Sequence, residues 1–517
     1  MNSAGEPTRA RIPVNFDEED VTAIVAKAMT AARSAQTRWS RTPLARRLEL
    51  VRELRRLIAE HASRLAEASA GARHRPTLES LTAEVVPLAA ACQFLEREAK
   101  SILAPRRLGR RGLPLWLAGV RSEIHREPYR VVLIIGPGNY PLLLPGVQMI
   151  QALVAGNAVL LKPGVGGTAA ARELYELVAQ AGFDSRLVAL LPEVPAAASA
   201  AILARPDKVV FTGSAFTGEK ILAQLAPQLV PSTMELSGCD AVIIRADADL
   251  DLAVKALTFG LTLNDGATCM SPKRVFVSAA CATELEGRLA QVFRSSRRQE
   301  AQTSLSGQSH LTSAFTEKIR PLLEDALARG AHFIAGEIRQ AGNIVTPLVL
   351  GGVAPSSQLL RADLFAPILA IVTVVDDHEA ILRANDCPFA LGASIFSRDE
   401  SAARALAVEI NTGVVTINDL ILPTADARTP FGGRGRSGFG VTQGAEGLLE
   451  LTTPKVVTVS RARFRPAFEP SQPGDEQMFQ SYLKARHGRG FYYRWRALVA
   501  LIRSLAGRNQ STQQNTK

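Results

Sequence analysis

Four short runs constrain this chain more than any other feature: VVLIIG at 131–136, AVLLKP at 158–163, LVALLP at 187–192 and KVVFTG at 208–213. Each is rich in Val, Ile and Leu, and stretches with helical apolar spacing separate them. A run that is apolar at nearly every position suits a strand covered on both faces, and strand–helix–strand repetition builds right-handed βαβ units on a parallel sheet. The expected fold class is α/β, with a doubly wound parallel-sheet domain that binds its ligand at the carboxyl ends of the strands. The longest uncharged run, 131–161, is long enough to cross a bilayer. Gly136, Pro137, Gly138, Pro141 and Pro145 instead divide it into strand, turn and helix.

At 517 residues the chain exceeds one hydrophobic core. Residues 1–233 are expected to hold an N-terminal helical segment and the ligand-binding domain, with 105–128 as bridging or oligomerisation strands. A second α/β domain is expected over 234–428, beginning near MELSGCDAVIIRAD. The Pro- and Gly-rich TPFGGRGRSGFG (429–440) reads as a loop at the seam, and 429–460 as a return to the first domain with a final strand.

The formal charge of +11 is unevenly spread. Residues 461–517 carry eleven Lys and Arg against three Asp and Glu, so the body is nearly neutral and no nucleic-acid partner is expected. In that tail FYYRWRALVALIRSL (491–505) sets Phe491, Trp495, Leu498, Ile502 and Leu505 on one helical stripe. Such a basic amphipathic helix can lie on an anionic membrane, or dock on the chain itself or a sister subunit. The opening residues are polar with charges of both signs, unlike a secretory signal. Five cysteines without CxxC spacing disfavour a disulfide framework and a zinc site, and point to a reducing cytoplasm. No metal is expected.

Two turns suit a phosphate. GVGGTA (164–169) follows a strand and opens a helix, as does FTGSAFTG (211–218), where Gly213 and Ser214 present a helix N-terminus. Cys269, in LNDGATCM after an apolar helix, stands in a turn suited to a nucleophilic thiolate. Glu235, a carboxylate inside the apolar MELSG, is a candidate base whose pKa burial would raise. Asn139 in GPGNYP is a candidate oxyanion donor. Taken singly, each could be structural: a buried thiol, an ion-paired carboxylate, a helix cap.

Taken together, GPGNYP (136–141), KP (162–163), FTGS (211–214), ELSG (235–238), NDGATC (264–269), LFAP (364–367), PFGG (430–433) and SGFG (437–440) resemble the aldehyde dehydrogenase superfamily. Order and spacing agree over roughly residues 20–460. The resemblance implies oxidation of an aldehyde to a carboxylic acid with NAD or NADP. Cys269 would attack the aldehyde, the Asn139 amide and the Cys269 N–H would hold the oxyanion, and Glu235 would activate water against the thioester. Lys162 would meet the adenosine ribose, Gly213 and Ser214 the pyrophosphate, and Asp363 and Phe365 the nicotinamide end. A homodimer or tetramer is implied. Transfer of the acyl group to coenzyme A is disfavoured by the retained Glu235, and a non-catalytic nucleotide-binding scaffold by the retained trio.

Departures from the pattern carry expectations of their own. Gly138 stands where the family has a large indole, which predicts a wider channel for long or bulky lipophilic aldehydes. Val165 replaces an acidic partner of the ribose, which predicts relaxed discrimination against NADP. Asp363 replaces a Glu, one methylene shorter.

Overall fold

The computed structural model describes residues 18–71, 75–114, 117, 119–303, 313–338, 344–461, 468 and 470–514. Two units emerge, residues 1–105 with 125–455, and residues 106–124 with 456–517.

The larger unit is built on two sheets. The first has six strands in the order Gly438–Phe439, Ser232–Leu236, Lys208–Gly213, Val131–Ile135, Ala158–Lys162 and Val188–Leu190. All are parallel except Gly438–Phe439. Every residue of Val131–Ile135 and Ala158–Lys162 is buried, as a strand covered on both faces requires. Glu18–Trp39 packs with Pro195–Leu203, and Leu44–Glu60 with Val86–Ile102 and Leu143–Ala155. The uncharged run 131–161 is thus strand, turn, helix and strand. Thr77–Ile102 is also long and apolar enough to cross a membrane, but Leu88, Cys92 and Leu95 place its apolar stripe in the core.

The second sheet runs His332–Ile338, Ile344–Gly351, Ile368–Val374, Pro272–Ser278, Asp240–Ile244, Gly392–Phe396 and Val414–Ile417. Only its first pair is antiparallel. Alternation sorts its side chains: Ala241 and Ile243 enter one core, Val242 and Ile244 the other. Both sheets are α/β, as expected. The expected boundary at 234 falls inside Ser232–Leu236, which pairs in register with Lys208–Gly213. The chain leaves the first sheet only after Leu236, because Glu235 is held between two strands.

In the smaller unit Arg106–Arg107 pairs with Ile124 and Glu123, midway along Val120–Pro128, and the Ser122 and Thr458 hydroxyls are 3.0 Å apart. Two helices follow, Asp475–His487 and Phe491–Gln514, packed on one another.

Candidate active site

Strand Val131–Ile135 ends in GPGNYP, which buries Asn139. Helix Leu250–Thr262 ends in Leu263–Gly266, where Asn264, Asp265 and Gly266 take φ of 50°, 52° and 70°. Asn and Asp tolerate this left-handed backbone better than other side chains. At Gly266 only glycine fits, since a Cβ would lie 2.4 Å from the Pro367 nitrogen.

The two loops are bound to each other. Asn139 Nδ2 donates to the Ala267 carbonyl at 3.0 Å, and Asn264 Nδ2 donates to the Asn139 carbonyl at 3.0 Å. The Tyr140 and Thr268 hydroxyls are 2.6 Å apart. Asn139 therefore sits beside the segment that carries Cys269, with one amide hydrogen engaged and a second available.

A buried ion pair stands behind the Asn139 loop. The π-helical turn Leu81–Val85 carries Glu84, fully buried, whose carboxylate accepts from the backbone N–H groups of Leu142 (2.8 Å) and Leu143 (3.0 Å). Ser69 donates to it and Arg75 pairs with it. Arg75 Nη1 also donates to the Asn139 carbonyl at 3.3 Å.

Glu235 lies opposite Thr212 on one neighbouring strand and Gly438 on the other. A Cβ at Gly438, where φ is 101°, would lie 1.9 Å from the Met234 carbonyl oxygen, so a glycine is required for that close approach. Burial pushes Glu235 up to about 7, opposed by hydrogen bonds from Thr442 and Thr212. Its Oε2 accepts from Thr442 at 3.3 Å, while its buried Oε1 has no hydrogen-bond partner among the described residues. Cys269 is half-buried. Burial pushes its thiol up, and the negative charges of Glu235 and Asp240 push it further. Glu235 is thus near enough to Cys269 to influence its thiol.

Lys273 lies under the cysteine loop, fully buried, donating to the carbonyls of Gly266 (3.1 Å) and Ala366 (2.9 Å). Burial lowers its pKa to about 8 against the opposing pull of Cys239 and Asp240. This lysine couples the Cys269 loop to the segment carrying Asp363 and Phe365. Asp363 is half-buried, its carboxyl raised by desolvation, with Oδ1 buried and lacking a partner among the described residues. Phe365 is exposed.

The remaining predicted residues cluster at the carboxyl edge of the first sheet. Ile135 pairs with Lys162 on one side and with Phe211 on the other. Lys162 is buried, which lowers its pKa, while Glu193 opposes that shift. Gly213 ends its strand, and Ser214 caps helix Ala215–Leu225 by accepting from the Thr217 N–H at 3.2 Å. A lysine and a capped helix N-terminus at the carboxyl edge of a parallel sheet suit a dinucleotide.

Two expectations are corrected or refined here. The missing indole does not widen a channel at Gly138, because a Cβ there would point at the Val165 carbonyl oxygen, 2.7 Å away. Gly138 and Gly164 instead let two backbone turns touch; a Cβ on Gly164 would lie 2.1 Å from the Pro137 carbonyl carbon. Val165 itself is exposed. Glu193 approaches the same turn, but its oxygens are occupied by the Gly166 N–H and by Thr168.

Cys269 opens into a cavity of about 460 Å³, whose wall includes Leu143, Leu144, Phe259, Met270, Leu422 and Phe431. Among the described residues that line it there is no Lys or Arg, and Glu79 is the one carboxylate. Glu79 Oε1 accepts from the Asn264 N–H at 2.9 Å, and desolvation raises its pKa.

Sequence reasoning singled out Cys269, Glu235 and Asn139, and missed Glu84, Arg75, Lys273 and Thr442. Glu84 gave the signal that marked Glu235, an acid within an apolar stretch, AEVVPLAAA.

The profile of the aldehyde dehydrogenase family matches residues 7–457. A 4,4'-diapolycopene aldehyde oxidase from a Methylomonas species is 31% identical over 470 residues, which is 90% of this chain and 88% of the relative. A Mycolicibacterium smegmatis protein named as a candidate succinate-semialdehyde dehydrogenase [NADP(+)] is 32% identical, over 87% of this chain and 86% of its own. Among solved structures, the NAD+ complex of an aldehyde dehydrogenase from Bacillus cereus superposes with a TM-score of 0.76 at 27% identity, covering 86% of this chain and 89% of that one.

Proposed function

The chain belongs to the aldehyde dehydrogenase family, and on that premise we propose that it oxidises long or bulky apolar aldehydes to carboxylic acids, using NAD or NADP. Cys269 releases its thiol proton to solvent and attacks the aldehyde carbon, forming a thiohemiacetal whose oxyanion is met by the Asn139 amide and the Cys269 N–H. A bound nicotinamide dinucleotide would supply the hydride acceptor needed for oxidation of the Cys269 adduct to an acyl thioester. Glu235 then takes a proton from water as it attacks the thioester, and the acid leaves. Lys162, Gly213, Ser214 and Asp363 hold the dinucleotide.

The observation that carries the substrate class is the cavity beside Cys269. Among the described residues the largely apolar wall offers a substrate carboxylate no cation to pair with, and Glu79 would repel it. An apolar chain loses nothing there and gains its burial. Among the relatives, the diapolycopene aldehyde oxidase is therefore the nearer guide to the substrate than the succinate-semialdehyde dehydrogenase. The exposed Val165 supports use of both cofactors, since it sets no carboxylate against a 2′-phosphate. Strand Thr452–Ser460, with Val456, Val457 and Val459 exposed at a sheet edge, supports a homodimer or tetramer.

The test is kcat/KM for straight-chain aldehydes from propanal to dodecanal and for succinate semialdehyde, with each cofactor. Each added buried methylene is worth about 0.8 kcal/mol, so kcat/KM rises roughly fourfold per carbon until the cavity is filled. A preference for succinate semialdehyde over decanal overturns the reading.

A further inference from the structure

We propose that the C-terminal helix pair, Asp475–His487 and Phe491–Gln514, is a docking surface for an anionic lipid membrane. This does not rest on the substrate reading. Met478 and Ser481 on the first helix, and Ala497 and Leu501 on the second, are buried. The other face of the second helix is apolar and faces solvent. Phe491 is 87% exposed, Trp495 55% and Ile502 57%, with Leu498 and Leu505 on the same stripe. Phe479 and Leu483, one turn apart on the first helix, are exposed too.

The stripe has a cationic and aromatic rim. Arg496 and Arg503 each follow a stripe residue by one position, which places them about 100° round the helix on the same flank. The Arg496 guanidinium lies 5.9 Å from the Tyr492 ring centre. Trp and Tyr at the edge of an apolar face, with arginines beside them, match the lipid headgroup boundary.

Charge selects the occupant. The tail carries eleven Lys and Arg against three Asp and Glu, whereas the rest of the chain is nearly neutral. Two copies meeting through this face would set like charges against each other, while anionic headgroups neutralise them.

The experiment is co-sedimentation of the full-length protein with vesicles of phosphatidylcholine, alone or with about a third phosphatidylglycerol. The expected result is binding about tenfold stronger to the anionic vesicles, lost at high salt. The variant Trp495→Ser/Leu498→Ser/Ile502→Ser should lose about tenfold in binding while keeping the wild-type Tm and turnover of a water-soluble aldehyde. Arg496→Gln/Arg503→Gln should weaken binding to the anionic vesicles. No binding to anionic vesicles overturns the proposal, as does equal binding by the triple serine variant. A smaller sedimenting species for that variant, without any loss of vesicle binding, reassigns the face to a second copy of the chain and also overturns it.

Discussion

The side-chain amide of Asn139 donates to the carbonyl of Ala267 at 3.0 Å, two residues before Cys269. Residues 128 positions apart are thereby fixed at hydrogen-bond distance. Asn139→Ala should lower kcat by roughly 10²–10³-fold, the usual effect of removing one oxyanion donor. Steady-state kinetics, with Kd for the cofactor measured separately, checks that the loss lies in turnover and not in dinucleotide binding.

Glu84 holds the backbone N–H groups of Leu142 and Leu143 and pairs with Arg75, which reaches the Asn139 carbonyl. Removing one partner of a buried ion pair costs roughly 3–5 kcal/mol. Glu84→Gln should lower Tm by several degrees and reduce kcat more than it raises KM. Glu84→Asp should recover part of both, since a carboxylate remains. A calorimetric scan beside the kinetics separates folding from positioning.

Glu235 sets an acid limb. Burial pushes its pKa up to about 7, and only the ionised carboxylate can take a proton from water. As pH falls below that value the active fraction falls about tenfold per unit. An ordinary carboxylate would move this limb down toward pH 4–5. Glu235→Gln should abolish the limb and leave the acyl-enzyme to accumulate, visible as added mass on Cys269 in intact-protein spectrometry.

Glu79 faces the cavity and accepts from the Asn264 N–H. Glu79→Gln keeps an oxygen for that bond while removing the charge. It should raise kcat/KM for a carboxylate-bearing semialdehyde by about tenfold and leave decanal within about twofold, as expected for loss of one partly desolvated charge.

Val165 is exposed on the turn that follows Lys162, and the proposed cofactor binding sets the ribose hydroxyls beside it. Val165→Glu should lower kcat/KM for NADP by at least about tenfold, by repulsion of the 2′-phosphate, and leave or improve that for NAD. Paired cofactor kinetics on the wild type and the variant decide this.

Much of the site was legible because the signals were local. The fully apolar runs 131–136 and 158–163 indicate strands covered on both faces, and those strands are buried throughout. Asn-Asp-Gly before Cys269 forecast a turn, since these three residue types accept left-handed backbone, and all three adopt it. Gly138 misled because the absence of a large side chain does not say which way the missing Cβ would point. It points into the Val165 turn.

The sequence alone determined the layers of the fold and singled out two turns suited to a phosphate and three side chains, Cys269, Glu235 and Asn139, as candidates for the chemistry. Periodicity and turn chemistry act over a few residues, so they can be read from the chain directly. Tertiary structure decided the rest. It brought Glu84 and Arg75 behind the Asn139 loop, placed Lys273 beneath the cysteine loop and Thr442 against Glu235, and set Glu79 in the wall of a largely apolar cavity. Those contacts join residues far apart in sequence, and burial, which moves the pKa of Glu235 and Lys273, exists only once the chain has packed around them.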